Sequence, residues 1–208
     1  MAYSEISYRH TMIPDWCEKI FRSENSKFWY YFIPKNASSS FREVKHKSGV
    51  NFFHHDRVGA KFYWHTNKPA GAKTIIILRE PFDRLISSYC WDVREGVFND
   101  SVNSYMEHIA YGYPSAEAIP QTTYLKTRSI ELENINYVWF TETLKRQLGE
   151  FCVENSLDLV LPVVNVSTSQ EREVVEKEMR WPHNYEIFRK EYAQDIEMYN
   201  TWWSKING

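Results

Sequence analysis

Phe28-Trp-Tyr-Tyr-Phe-Ile33 followed by Pro34-Lys35-Asn-Ala-Ser-Ser-Ser40 changes character once, at the proline. Six aromatic and branched residues without polar alternation have the pattern of a strand buried on both faces of a sheet. Pro34 ends that run, and Ser38, Ser39 and Ser40 are three N-cap candidates ahead of a predicted helix carrying Phe41, Arg42, Val44 and Lys45. A loop that turns into a helix offers an anion several backbone N–H groups and the positive end of the helix dipole. Lys35 adds a full charge on a flexible stem, and the serine hydroxyls add donors. The same residues also describe a serine-capped surface helix with no ligand, and this segment alone leaves both readings open.

The grammar recurs downstream. Thr74-Ile-Ile-Ile-Leu78 reads as a second buried strand, Arg79-Glu80 as its turn, and Pro81 as the first residue of a helix, where proline is tolerated. Phe82, Leu85, Ile86 and Tyr89 form one apolar stripe on that helix, and Ser87 lies off it. Asn136 to Phe140 reads as a third strand, with Thr141 capping a helix through about Asn155, and residues 169–181 and 185–206 read as two further helices. Strands alternating with helices predict a single α/β domain with a mainly parallel central sheet flanked by helices. Ligands of such sheets sit beyond the carboxyl ends of the strands, where both Lys35 and Arg79 fall. Taken alone, Arg79 reads either as a partner of Glu80 or Asp83, or as a phosphate clamp with Ser87.

Composition narrows the function classes. The 208 residues carry 25 Lys and Arg against 27 Asp and Glu, a net charge of −2, so no general basic field draws nucleic acid or an anionic membrane. The seven glycines are never closer than ten residues apart, which excludes the dinucleotide fingerprint, the ordinary Walker A loop and the kinase glycine-rich loop. Cys17, Cys90 and Cys152 suggest neither a disulfide framework nor a zinc site. His54-His55-Asp56 is the densest ligand candidate, but neighbours on a strand face opposite ways, so no metal is expected. Residues 1–15 lack the pattern of a signal peptide and no long apolar run follows, so the expectation is a soluble cytoplasmic protein without a membrane partner. Three Asn-x-Ser triplets, at Asn36, Asn99 and Asn165, are read as unmodified. Trp64 and the Trp202-Trp203 pair fit core packing or a stacking face for a sugar ring.

Pro34-Lys35-x-x-x-Ser39-Ser40, followed some forty residues later by Arg79-x-Pro81-x-x-Arg84-x-x-Ser87-x-Tyr89, resembles the paired signatures of the sulfotransferases that use 3′-phosphoadenosine 5′-phosphosulfate (PAPS). The version here is most similar to the carbohydrate branch that includes heparan-sulfate 2-O-sulfotransferase. Weaker echoes of that branch are Pro120-Gln121-x-x-Tyr124-Leu125, Val138 to Glu142 and Asn165-Val166-Ser167. The resemblance implies a P-loop-NTPase-like sulfotransferase fold and a metal-free donor site. It assigns the 5′-phosphosulfate end to Lys35, Asn36, Ala37, Ser38, Ser39 and Ser40, with Lys35 also assisting transfer. It assigns the 3′-phosphate to Arg79 and Ser87, leaves 3′-phosphoadenosine 5′-phosphate (PAP) as product, and makes the acceptor a hydroxyl of a saccharide or glycosylated metabolite. The base that takes the acceptor proton is His65 by first choice, with His54, His55 or a carboxylate still open. Two other classes share the strand-loop-helix logic: a nucleotide-dependent phosphotransferase, and a non-catalytic domain that binds adenosine bisphosphate.

Overall fold

Residues 73–78 illustrate how the chain builds its sheet, because Thr74 to Leu78 are all buried and their side chains alternate between two apolar layers. The computed structural model describes residues 28–37, 40, 52–54 (backbone only), 71–157, 159 and 168–208. Four strands, β1 (Phe28–Tyr31), β2 (Phe52–His54), β3 (Lys73–Leu78) and β4 (Tyr137–Phe140), form one sheet in the order β2-β1-β3-β4, every neighbouring pair parallel. Trp29 is in register with Phe53 on one side and Thr74 on the other, and Ile76 with Val138.

Seven α-helices are present among the described residues: α1 (Pro81–Arg94), α2 (Val102–Ala110), α3 (Gln121–Thr127), α4 (Leu144–Asn155), α5 (Ser169–Met179), α6 (Pro182–Glu191) and α7 (Ala193–Asn207). Phe28, Tyr30, Ile75, Ile77 and Trp139 pack on Leu144, Leu148 and Phe151 of α4. The opposite face, Ile76, Leu78, Val138 and Phe140, packs on Tyr124 and Leu125 of α3 and Tyr199 of α7. A third layer joins Phe82, Leu85 and Ile86 of α1 to Tyr105, Met106 and Ile109 of α2 and Phe188 of α6. Each fully buried isoleucine or leucine contributes roughly 1.5–3 kcal/mol relative to exposure. The chain is thus one α/β domain with helices on both faces of a parallel sheet, as the alternation predicts.

Three boundaries differ from the sequence expectation. β1 stops at Tyr31 rather than Ile33, because the chain turns out of the sheet ahead of Pro34. Thr141 does not cap α4: residues Thr141–Thr143 make a 3₁₀ turn, and α4 starts at Leu144. Gln147 draws that turn in, its Oε1 accepting from Phe140 N at 2.8 Å and Thr143 Oγ1 at 3.0 Å. The helix expected over 185–206 is two helices separated at Tyr192, whose buried hydroxyl donates to Ala118 O at 2.5 Å and whose ring stacks on Phe188. Helices α2 and α3 and strand β2 were not expected. Helix α2 begins conventionally, with Ser101 Oγ accepting from Ser104 N. The other helix, α3, is capped from a distance, with both oxygens of buried Asp195 on the N–H groups of Gln121 and Thr122 at 2.7 and 2.8 Å. No described helix is long and apolar enough to cross a membrane.

Candidate functional site

The strand order makes one place distinctive. From β1 the chain goes to β2 on one side, then returns past β1 to β3 on the other, so beyond the carboxyl ends of β1 and β3 the connections part in opposite directions. A parallel sheet opens a crevice there. Lys35 follows β1 and Arg79 follows β3 directly into it.

The β1 loop is strained and tightly held. Lys35 and Ala37 have φ of 66° and 56°, a left-handed region that costs an L residue about 1–2 kcal/mol each. Between them Asn36 is fully buried, its Nδ2 donating to Ile77 O at 2.7 Å and Gln121 Oε1 at 2.6 Å. That burial leaves the Asn36 amide closed to a glycosylating enzyme in the folded chain. Arg84, buried to the tip, donates through Nε to Pro34 O at 3.1 Å and through Nη2 to Glu117 O at 2.8 Å. Among the described residues no acceptor takes the N–H of Ala37, which leaves a backbone donor at the turn.

Arg79 meets this loop directly. Its Nη1 donates to Lys35 O at 2.8 Å, while Nε reaches Asp83 Oδ2 at 2.6 Å and Nη2 closes the pair at 2.5 Å. The second Asp83 oxygen is held by Arg172 of α5, so two guanidiniums share one carboxylate. Burial lowers the Arg79 pKa and Asp83 opposes that shift, which leaves the group a cation. Gln121 fixes the Arg79 main chain, accepting its N–H at 3.1 Å and donating to its carbonyl at 2.9 Å. Glu80 caps α1 with its own carboxylate, accepting from Phe82 N at 3.1 Å and Asp83 N at 2.6 Å. The first amides of α1 are therefore already satisfied. Burial raises the Glu80 pKa, with the two N–H bonds working against it.

Along α1, Asp83, Ser87 and Trp91 succeed one another four residues apart and share one face, spanning about 12 Å at 1.5 Å per residue. Asp83 holds Arg79 at one end, and the Lys35 ammonium lies 4.4 Å from the Trp91 ring centroid at the other. Ser87 sits between them, buried, with no hydroxyl partner among the described residues. The helix is thus buried well beyond its apolar stripe. Burial lowers the Lys35 pKa to about 8, with Glu117 and Asp92 pulling upward and Arg79 and Arg94 downward. Asp92, also buried, accepts from Tyr105 Oη at 2.6 Å and Ser115 Oγ at 2.5 Å, and burial raises its pKa despite both bonds.

Of the residues singled out from sequence, Lys35, Asn36, Ala37, Arg79 and Ser87 gather around this crevice. Asn36 acts on the fold, with its amide turned to Ile77 and Gln121. Arg79 is paired to Asp83, the ion-pair alternative, while also touching the Lys35 loop. Ser40 is half-buried in a helical turn, Ser38, Ser39, His55 and His65 lie outside the described residues, and His54 is described only as the last backbone position of β2. Trp203 packs on Phe140 and stacks on Tyr199, which is core packing. Sequence reasoning named Asp83 as a partner for Arg79 but missed the parts played by Gln121, Arg84, Trp91 and Arg172. The Pro120-Gln121 pair was visible as an echo, but nothing local says that Gln121 reaches two other loops. No protein-family model matches the chain, and no curated protein matches it in sequence.

Proposed function

We propose that the chain is a sulfotransferase that moves a sulfuryl group from PAPS to a hydroxyl acceptor. The observation that carries this reading is the 2.8 Å bond from Arg79 Nη1 to Lys35 O, which joins the two signature segments across 44 residues at the open end of β1 and β3. A donor with phosphate at both ends of its nucleoside needs two cationic points on one wall, and Lys35, Ser87 and Arg79 supply that wall along α1. The same order of parallel strands is compatible with the P-loop-NTPase-like sulfotransferase fold that the signatures suggest.

In the proposed reaction the acceptor oxygen attacks sulfur in line, the bond from sulfur to the bridging phosphate oxygen breaks, and PAP leaves. Lys35 leaves the Trp91 face to meet charge growing on the bridging oxygen, and the free N–H of Ala37 faces the same anion. Arg79 and Ser87 hold the far phosphate, with Arg172 keeping Asp83 occupied as Arg79 turns towards the ligand. The acceptor proton goes to a base, for which His65 remains first choice beside His54, His55 or a carboxylate.

Calorimetric titration with PAP, and separately with ATP and Mg²⁺, tests the donor site. PAP is expected to bind in preference, with Ser87→Ala weakening it about three- to tenfold, the worth of one hydrogen bond, at unchanged melting temperature. Arg79→Ala is expected to abolish binding, and Arg79→Lys, which keeps charge without the fork, to restore it in part. Absence of PAP binding, or preference for ATP with Mg²⁺, overturns the reading in favour of a phosphotransferase or a structural role.

A further inference from the structure

Asp195, in the first turn of α7, is a buried carboxylate that the proposed reaction does not use. An acid in that turn suits the dipole of its own helix, yet its oxygens are turned to another one. Oδ2 accepts from Gln121 N at 2.7 Å, and Oδ1 from Thr122 N at 2.8 Å and Thr122 Oγ1 at 2.6 Å. All three donors are neutral. The two main-chain N–H groups sit on different oxygens, and an amide in place of the carboxylate would offer them only one. A buried acid is costly, and here it matches the two N–H groups that open α3.

Those groups fix Gln121. Helix α3 is seven residues long and its N-cap, Pro120, gives no side-chain bond, so little within the helix decides where Gln121 stands. The Gln121 side chain is fully buried and makes three bonds. Its Oε1 accepts from Asn36 Nδ2 at 2.6 Å and Arg79 N at 3.1 Å, and its Nε2 donates to Arg79 O at 2.9 Å. Both main-chain polar groups of Arg79 and the buried amide of the β1 loop therefore depend on one side chain. At the other end of α3, Arg128 donates to Phe32 O just past β1. Tyr199, one turn after Asp195 on α7, packs with Tyr124 and Leu125 of α3 against Ile76 and Leu78 of β3. The two helices thus brace the crevice from behind. A second polar link between them, Lys126 to Gln194, is exposed, whereas Asp195 is buried.

We propose that Asp195 is a positioning residue for the crevice, setting through Gln121 the point from which the Arg79 side chain departs. It touches no ligand. Its effect on PAP rests on the reading of Arg79 as the phosphate clamp, while its effect on Arg79 does not.

The test compares two variants that remove bonds at the same carboxylate. Asp195→Ala takes the acceptor from both N–H groups, and Thr122→Val removes only the hydroxyl bond. Amide hydrogen exchange on the unliganded full chain, followed by NMR, reads the bond from Arg79 N to Gln121 directly. In Asp195→Ala the Arg79 amide should exchange at least about tenfold faster relative to the amides of α4, which lie on the opposite face of the sheet, and in Thr122→Val it should not. Calorimetry should show PAP affinity falling about five- to tenfold in Asp195→Ala and less than about twofold in Thr122→Val. Added to Arg79→Lys, whose flexible stem needs no fixed start, Asp195→Ala should cost less than about twofold, whereas general loosening would weaken both backgrounds alike. Asp195→Asn, with one acceptor oxygen for the two N–H groups, provides the same comparison if the alanine variant does not fold. Arg79 exchange that keeps pace with α4 in the Asp195 variants, or an equal effect of Thr122→Val, overturns the inference. PAP bound equally by wild type and Asp195 variants, or an equal loss in the Arg79→Lys background, also overturns it while the donor reading stands. Faster exchange at Arg79 in a protein that binds no PAP supports the positioning role and removes the donor reading.

Discussion

If Lys35 receives the donor as proposed, donor binding is a proton-uptake reaction. In the unliganded chain its ammonium is buried against Trp91 with a pKa of about 8, below its unperturbed value near 10.4. A phosphate or phosphosulfate placed beside it favours the charged form and returns the pKa towards the ordinary range. Binding PAP should then take up about 0.1 proton at pH 7, about 0.5 at pH 8 and about 0.9 at pH 9, and affinity should fall roughly tenfold between pH 7 and pH 9. At pH 8 and 9 the nucleotide's phosphomonoesters, with a second pKa of about 6, are ionised and do not mask the effect, whereas at pH 7 about a tenth of each still carries a proton. Calorimetry in two buffers of different ionisation enthalpy gives the proton number directly. Lys35→Arg, which keeps the charge but does not titrate, should bring it to zero. The unliganded protein obeys the same sign. A lysine with a folded pKa below its unfolded one makes the fold least stable while it is protonated, so stability should climb from about pH 8 towards pH 10.5. Uptake below about 0.1 proton at pH 8, or equal uptake in Lys35→Arg, refutes the placement of a buried ammonium at the anion site.

Gln121→Ala removes the acceptor of Asn36 Nδ2 and both main-chain partners of Arg79, and should cost about 3 kcal/mol, read as a fall of roughly 10 °C in thermal unfolding. An unchanged melting temperature would show that these bonds are replaced by water. Asp92→Asn keeps an acceptor for Tyr105 and Ser115 without burying a charge, so it should raise the melting temperature at pH 7. The gain should shrink as pH falls and the wild-type carboxylate protonates; a loss at pH 7 would mean that its attraction for Lys35 outweighs its desolvation. Lys35→Gly removes both a left-handed backbone strain and a buried ammonium, so chemical denaturation should show a fold stabler by about 1 kcal/mol while sulfuryl transfer is lost.

Three of the four strands were legible because they carry buried apolar runs such as Ile75 to Leu78 and Val138 to Phe140, whereas β2 was not expected. Helix α1 was legible from Pro81 and the Phe82, Leu85, Ile86 stripe. The break at Tyr192 was not, since it depends on a hydroxyl reaching Ala118 O, 74 residues away. Helix α3 was illegible for a similar reason, as seven residues with no cap of their own are held by Asp195 of α7. At the site, Lys35 and Arg79 could be read from their positions after strands. The Arg79–Asp83 pair, four residues apart, was one of two local readings, but that Asp83 is shared with Arg172 depends on a helix 89 residues further on.

The β1 loop shows what holds a tight turn that carries no glycine. Glycine-rich phosphate loops reach left-handed φ without strain, and here Lys35 and Ala37 reach it with side chains attached. Something must over-determine the conformation, and four ties do so: Asn36 to Ile77 O and Gln121, Arg84 to Pro34 O, and Arg79 to Lys35 O. Each comes from an element other than β1. The arrangement fixes the backbone at the lysine itself, so that on the proposed reading the ammonium leaves from a set point and needs only to swing off Trp91 to meet the donor. A glycine at position 35 would make the turn at lower cost and carry no charge. The strain at Lys35 is therefore the cost of placing a cation, in place of glycine, where it feels the Glu117 and Asp92 carboxylates as well as the Arg79 guanidinium.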